Sequence, residues 1–157
     1  MKTAFNSPLE TGVRSLLVLT AQNVECDLQR LLYYDYLMVH SADVPNGPPS
    51  VHPGTPHRSG ELLVRRRLIE QGLLLMLSRN LLQRNSKSAG FTYSSTKLGE
   101  RFVSYLSASY VGELQKRTEW LLNTFHSFDD AALADFFDKN LQQWGSEFVE
   151  ILADDES

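Results

Sequence analysis

Five of the chain's six prolines fall between Ser41 and Arg58. Each removes a backbone donor and fixes φ, so neither a helix nor a central strand survives their spacing. The stretch Ser-Ala-Asp-Val-Pro-Asn-Gly-Pro-Pro-Ser-Val-His-Pro-Gly-Thr-Pro-His-Arg is therefore a loop. It separates two helical segments from a helix, hairpin and helix that follow. Loops of this length without structure are uncommon inside compact domains and tend to be functional or flexible. His40, His52 and His57 lie in or beside it, but the only nearby acid is Asp43 and no ligand spacing repeats, so no metal site is expected.

Before the loop, Ser7-Pro8-Leu9-Glu10 opens the first helix with serine at the cap, proline at the first helical position and a glutamate completing a capping box. Val13, Leu16 and Leu17 keep the helical period, Asn23-Val24 breaks it, and Asp27 caps a second helix from Leu28 to about His40. Leu31, Leu32, Tyr33, Tyr34, Tyr36, Leu37 and Met38 make that helix core rather than a cofactor box.

After the loop, Ser59 can cap a third helix ending near Arg79-Asn80, with Leu62, Leu63, Ile69, Leu73, Met76 and Leu77 as its apolar stripe. Arg65, Arg66 and Arg67 then fan across the opposite face, about 100° apart, with Glu61 or Glu70 in reach of one of them. Gly72 inside the helix marks a close helix approach or a local break. Leu81 to Arg84, a polar turn from Asn85 to Gly90, and Phe91 to Ser94 read as an antiparallel hairpin with Leu81 or Leu82, Phe91 and Tyr93 inward. Thr96 caps a fourth helix reaching about Phe125, which if continuous spans about 43 Å and bends most easily at Gly112. Ser127 and Asp130 stand in capping-box positions, and Leu133, Phe137, Leu141, Trp144, Phe148 and Ile151 stripe a fifth, amphipathic helix.

The fold class is thus mainly α with a small β-hairpin. Its order is that of a winged helix-turn-helix domain with a long fourth helix and a C-terminal amphipathic helix. Charge follows the segments: residues 1–57 carry three basic and five acidic side chains, 58–112 nine and three, and 113–157 three and eleven. A basic middle can face a polyanion, whereas the acidic end would be repelled by one. Arg65, Arg66, Arg67, Arg84, Lys87, Lys97 and Arg101 are the candidate contacts for nucleic acid or for an acidic protein.

Chemistry has no foothold in the sequence. There is no Gly-rich phosphate loop, no Gly-x-Ser-x-Gly, no paired His-Glu metal motif, and the single cysteine, Cys26, reads as a small buried hydrophobe. Catalytic residues, metal and cofactor are all expected to be none, with no small-molecule substrate. At 42% hydrophobic and 22% charged, 157 residues suit one soluble domain. Without a twenty-residue apolar run or a signal-peptide start, a cytoplasmic location away from the membrane is expected.

The chain also resembles the middle component of ABC three-component systems, the Lamassu-type antiphage defence. The residues that carry the likeness are Pro8-Leu9-Glu10-Thr11-Gly12-x-Arg14, Asp27-Leu28-Gln29-Arg30-Leu31, Asp35-Tyr36-Leu37-x-Val39-His40-Ser41, and Gly47-Pro48 with His52-Pro53. Arg58-x-Gly60-Glu61-Leu62-Leu63-Val64-Arg65-Arg66, Ile69-Glu70-x-Gly72-Leu73, Thr96-x-x-Gly99-x-x-Phe102 and Arg117-x-x-Trp120 continue it. It spans roughly residues 6–125, the expected winged-helix domain with a loop at 41–58 and a wing at 81–94; residues 126–157, the amphipathic helix and acidic tail, lie outside it. The resemblance implies a non-catalytic accessory subunit bridging an SMC-like ABC ATPase and an effector, commonly a nuclease, with DNA met through the complex. On that reading the stiff Pro-rich loop is a docking surface, through Pro48, Pro49, His52, Pro53 and Arg58. A free-standing winged-helix transcription regulator and a scaffold assembling through the fifth helix are the competing expectations.

Overall fold

Serine and proline start α1 (Pro8–Ala21) as their chemistry dictates: the Glu10 N–H donates to Ser7 Oγ at 3.2 Å, and Pro8 sits where a missing donor costs nothing. The computed structural model describes residues 7–21, 23–50, 58–106 and 109–140. Asn23, with φ of 53°, turns the chain out of α1. Asp27 then accepts the Arg30 N–H at 2.8 Å and begins α2 (Leu28–Val39), which is buried from Tyr34 to Val39 without interruption.

A short 3-10 turn over Ser41–Asp43 leads into the Pro-rich segment. Its first part is held: the Ser41 hydroxyl lies 3.0 Å from the carbonyls of both Pro48 and Pro49, and Arg117 Nε donates to Pro49 O at 3.1 Å. Residues 51–57, with His52, Pro53 and His57, lie outside the described residues.

α3 (Arg58–Ser78) packs chiefly on α1, and the two helices come together at glycines. A Cβ on Gly72 would stand 2.7 Å from Gly12 N and 2.8 Å from Pro8 O; one on Gly12 would stand 2.8 Å from Gly72 O. Close approach, and not a break, is why the helix tolerates Gly72. Gly72→Ala should therefore destabilise, because overpacking against backbone costs about 1–3 kcal/mol and outweighs a propensity gain of about 1 kcal/mol. Thermal unfolding checks this; an unchanged or raised midpoint would contradict the approach.

β1 (Leu82–Lys87) and β2 (Gly90–Ser95) pair antiparallel, with Leu82 opposite Ser95 and Lys87 opposite Gly90. The strands are longer, and the turn shorter, than polarity suggested. Asn85, Ser86 and Lys87 pair with Thr92, Phe91 and Gly90, and a tip bare on both faces accepts polar strand residues. Phe91, expected inward, is 52% exposed near that tip, whereas Leu82 is buried. Cys26 and Tyr93 exchange backbone hydrogen bonds of 3.1 and 2.8 Å, tying the α1–α2 connection to the hairpin.

Thr96 caps α4 (Lys97–Ser104) by accepting the Gly99 N–H at 3.0 Å. Gly99 is required there, since a Cβ would fall 2.1 Å from Leu81 O. The expected single fourth helix is divided: α4 ends at Ser104 and α5 spans Ser109–Phe125. The break comes at Tyr105, not Gly112. Tyr105 and Leu106 donate to Phe102 and Val103 three residues back, and Ser104 Oγ bonds Arg101 O at 2.6 Å, so tight bonds and a competing hydroxyl end the helix.

Asp129, rather than Ser127 with Asp130, caps the last helix, accepting the Ala132 N–H at 2.7 Å. That helix, α6, is described over 130–140. Leu133 and Phe137 are buried in the common core, Phe137 stacked on Tyr33 at 4.1 Å and edge-on to Tyr36 at 5.8 Å. Leu141, Trp144, Phe148 and Ile151 lie outside the described residues.

Candidate functional site

The arginine run of α3 is divided between the core and the surface. Arg65 is 3% exposed, and its Nη1 donates to Asp35 Oδ2 at 2.5 Å. Arg14 of α1 approaches the same carboxylate from another side, Nε to Oδ1 at 2.7 Å and Nη2 to Oδ2 at 3.2 Å. Burial alone would push the Asp35 carboxyl up, but the Arg14 and Arg65 guanidinium groups outweigh it and hold it below the ordinary carboxylate range. The Arg65 guanidinium also lies 5.9 Å from the Tyr36 ring centre, and Tyr36 donates to Asp43 at 2.6 Å. One network thus joins α1, α2, α3 and the 3-10 turn. The expected fan of three solvent-facing arginines is corrected accordingly: Arg65 shares the buried arc with Leu62 and Ile69, three and four residues away, and cannot make first contact with a partner.

A third arginine fastens α6. Arg30 donates to Tyr34 Oη at 2.7 Å, to Phe128 O at 2.9 Å and to Asp130 at 2.8 Å. The same neighbourhood holds Cys26, whose thiol burial pushes up to about 12 against the opposing pull of Arg30. The Cys26 side chain, 3% exposed, packs in the core.

On the outward side of α3, Arg66 is half-exposed, 3.5 Å from Glu70, and Arg67 is exposed. Leu63, expected in the core stripe, is 78% exposed, with Val64 at 64% and Leu74 at 61%. The remaining cations lie on the hairpin and α4. Arg84 stands 4.4 Å over the Phe91 ring, Lys87 is 3.4 Å from Glu25, and Lys97 and Arg101 are exposed beside half-exposed Leu98. Exposed Phe91 and half-exposed Leu98 thus share this surface with Arg84, Lys97 and Arg101. Pro48 and Pro49 are fixed by the contacts already given, while Arg58 begins α3 at the far end of the loop.

A cleft of about 500 Å³ between α1, α4 and α5 is lined by Leu17, Thr20, Glu100, Val103, Gln115 and Glu119 among others, with no histidine, cysteine or lysine among the described residues at its walls. Among the described residues no group of three histidine, cysteine or acidic side chains is placed to hold a metal ion. Nor is any described helix long and apolar enough to cross a membrane.

The family model of the ABC-three component (ABC-3C) system Middle Component 2 matches residues 4–147. The match takes in the described part of α6, beyond the stretch on which the sequence resemblance rested. No curated protein and no solved structure matches the chain.

Proposed function

The chain belongs to the ABC-three component system Middle Component 2 family, and on that premise we propose that it is a non-catalytic subunit bridging an SMC-like ABC ATPase and an effector nuclease. Its setting is a Lamassu-type bacterial defence complex acting in the cytoplasm against phage or plasmid DNA. We read the fold as a winged helix, with α3 in the recognition-helix position and β1–β2 as the wing, from residue 6 to about 125. α6 follows that domain and packs on its core through Leu133 and Phe137.

One observation carries the docking reading. The side chains that a DNA-reading helix would use are either buried, as Arg65 is, or set among exposed Leu63, Val64 and Leu74. Duplex readers present mainly donors and positive charge to the groove, with apolar contact confined to thymine methyls. The docking face for these subunits is then the wing and α4, with Arg84, Lys87, Lys97 and Arg101 meeting acidic side chains, and the Pro48–Pro49 turn a further edge. DNA binding by the free chain remains the alternative, favoured by the exposure of Arg84, Lys97 and Arg101.

The quadruple variant Arg84→Glu, Lys87→Glu, Lys97→Glu, Arg101→Glu separates the two. All four side chains are exposed, so folding should persist. Co-purification with the ABC subunit should fall by about tenfold or more, since like-charge contacts across an interface cost several kcal/mol. Undiminished recovery would remove this face from the reading. Tight, salt-dependent duplex binding by the isolated chain, lost in the same variant, would favour the DNA alternative.

A further inference from the structure

The outward face of α3 carries a pattern that its core face does not explain. Leu63, Arg67, Glu70 and Leu74 step by four, three and four residues, the spacing that holds side chains in line along a helix meeting another at a shallow angle. Leu63 is 78% and Leu74 61% exposed, whereas Ile69, Leu73 and Met76 on the other side are in the core. Two bare leucines thus bracket one cation and one anion.

We propose that this face pairs with the same face of a second copy of the chain, antiparallel, about a two-fold axis passing between residues 68 and 69. With the axis there, Leu63 meets the partner's Leu74 and Arg67 meets the partner's Glu70, and the symmetry repeats both contacts. The pair has leucine layers at its ends, about 16 Å apart along each helix, and two ion pairs between them. Arg66, which pairs with its own Glu70 at 3.5 Å, comes opposite the partner's Gln71 and meets no like charge. A parallel pair in register would instead set Arg67 on the partner's Arg67 and Glu70 on the partner's Glu70. The charge order of the stripe therefore selects both the occupant and its direction. Two leucine layers make a small interface, so association is reversible and follows concentration. This surface lies apart from the wing and α4 cations and does not rest on the bridging role.

Sedimentation equilibrium of the full chain over about a hundredfold range of concentration tests the pairing. The weight-average mass should rise from 17.8 kDa toward twice that value. Glu70→Arg alone, or Arg67→Glu alone, places like charges at both central contacts and should weaken association by about tenfold or more. The double variant Arg67→Glu, Glu70→Arg exchanges the two ends of each ion pair and should restore it. Leu63→Asp should abolish it. All these residues face solvent, so the thermal midpoints should stay near that of the unaltered chain. A constant monomer mass at every concentration, association indifferent to the single reversals, or a double variant no better than the singles would each overturn the proposal.

Discussion

Asp35→Ala should leave the isolated chain largely unfolded at room temperature. The carboxylate is 2% exposed and is shared by two guanidinium groups, Arg14 at 0% and Arg65 at 3%. Removing one partner of a buried pair costs about 3–5 kcal/mol, because the charge left behind is not rehydrated. Here two cations lose their common anion, so the loss sits at or above the top of that range. It is comparable to the whole stability of a small domain, about 5–15 kcal/mol. Urea denaturation followed by circular dichroism reads the effect directly; a loss below about 1 kcal/mol, the level of an exposed ion pair, would contradict the network. Arg66→Ala is the control, expected to change stability by no more than about 0.5 kcal/mol. The pH dependence has a definite sign. A carboxyl held below its ordinary value contributes stability that is fully present above the unfolded-state pKa. That contribution is lost as pH falls through the lowered folded value, so protonation of Asp35 should contribute to unfolding only in strongly acidic solution.

Phe137→Ala should cost about 3–5 kcal/mol, the usual penalty for deleting a buried aromatic ring. The ring is 0% exposed, stacked 4.1 Å from Tyr33, and Phe136 beside it lies 5.2 Å from Phe125. α6 therefore closes the core over α2 and the end of α5, with Arg30 holding its first turn. Truncation after Ser127 should accordingly yield insoluble or poorly folded protein, since Tyr33 and Tyr36 lose their cover. A soluble truncated chain with an unchanged melting midpoint would show instead that α6 is an appendage reserved for docking.

Three helix starts were legible because caps are local chemistry, whereas Ser59, expected to cap α3, lies inside a helix that runs from Arg58. Ser7, Asp27 and Thr96 each accept the N–H that their positions imply. Gly72 was legible as a close approach or a local break, and only three dimensions decide for the approach and supply Gly12 as its partner. The end of α4 was not, because Leu98, Phe102 and Leu106 keep the helical period while the serine at 104 and tight turn bonds undo it. Arg65 was misread because residue chemistry was weighed above spacing. It follows Leu62 by three and precedes Ile69 by four, which is the buried stripe, and an arginine there needs a buried anion. Asp35, an acid inside a helix that is otherwise apolar on most sides, was the matching signal. Leu63 erred the other way, apolar by type but one residue past Leu62 and so turned to solvent. Several residues that carry the family likeness, Arg14, Asp35, Tyr36, Arg65 and Gly72, thus make structural contacts. The surfaces that would meet partners are drawn from less distinctive positions, which is why they were the harder part to read.

The central claim is that this chain is an accessory subunit working in a complex. Affinity purification of the complete three-component system through its ABC subunit, with the composition read by mass spectrometry and the assembly's mass by light scattering, tests it most directly. The chain is predicted to elute in fixed proportion with the ABC subunit and the effector. It should remain bound when Arg66 is replaced by alanine and be lost when Asp35 is, because only the second change removes the fold. A chain that never co-elutes with the ABC subunit, while folded and present in excess, would contradict the account.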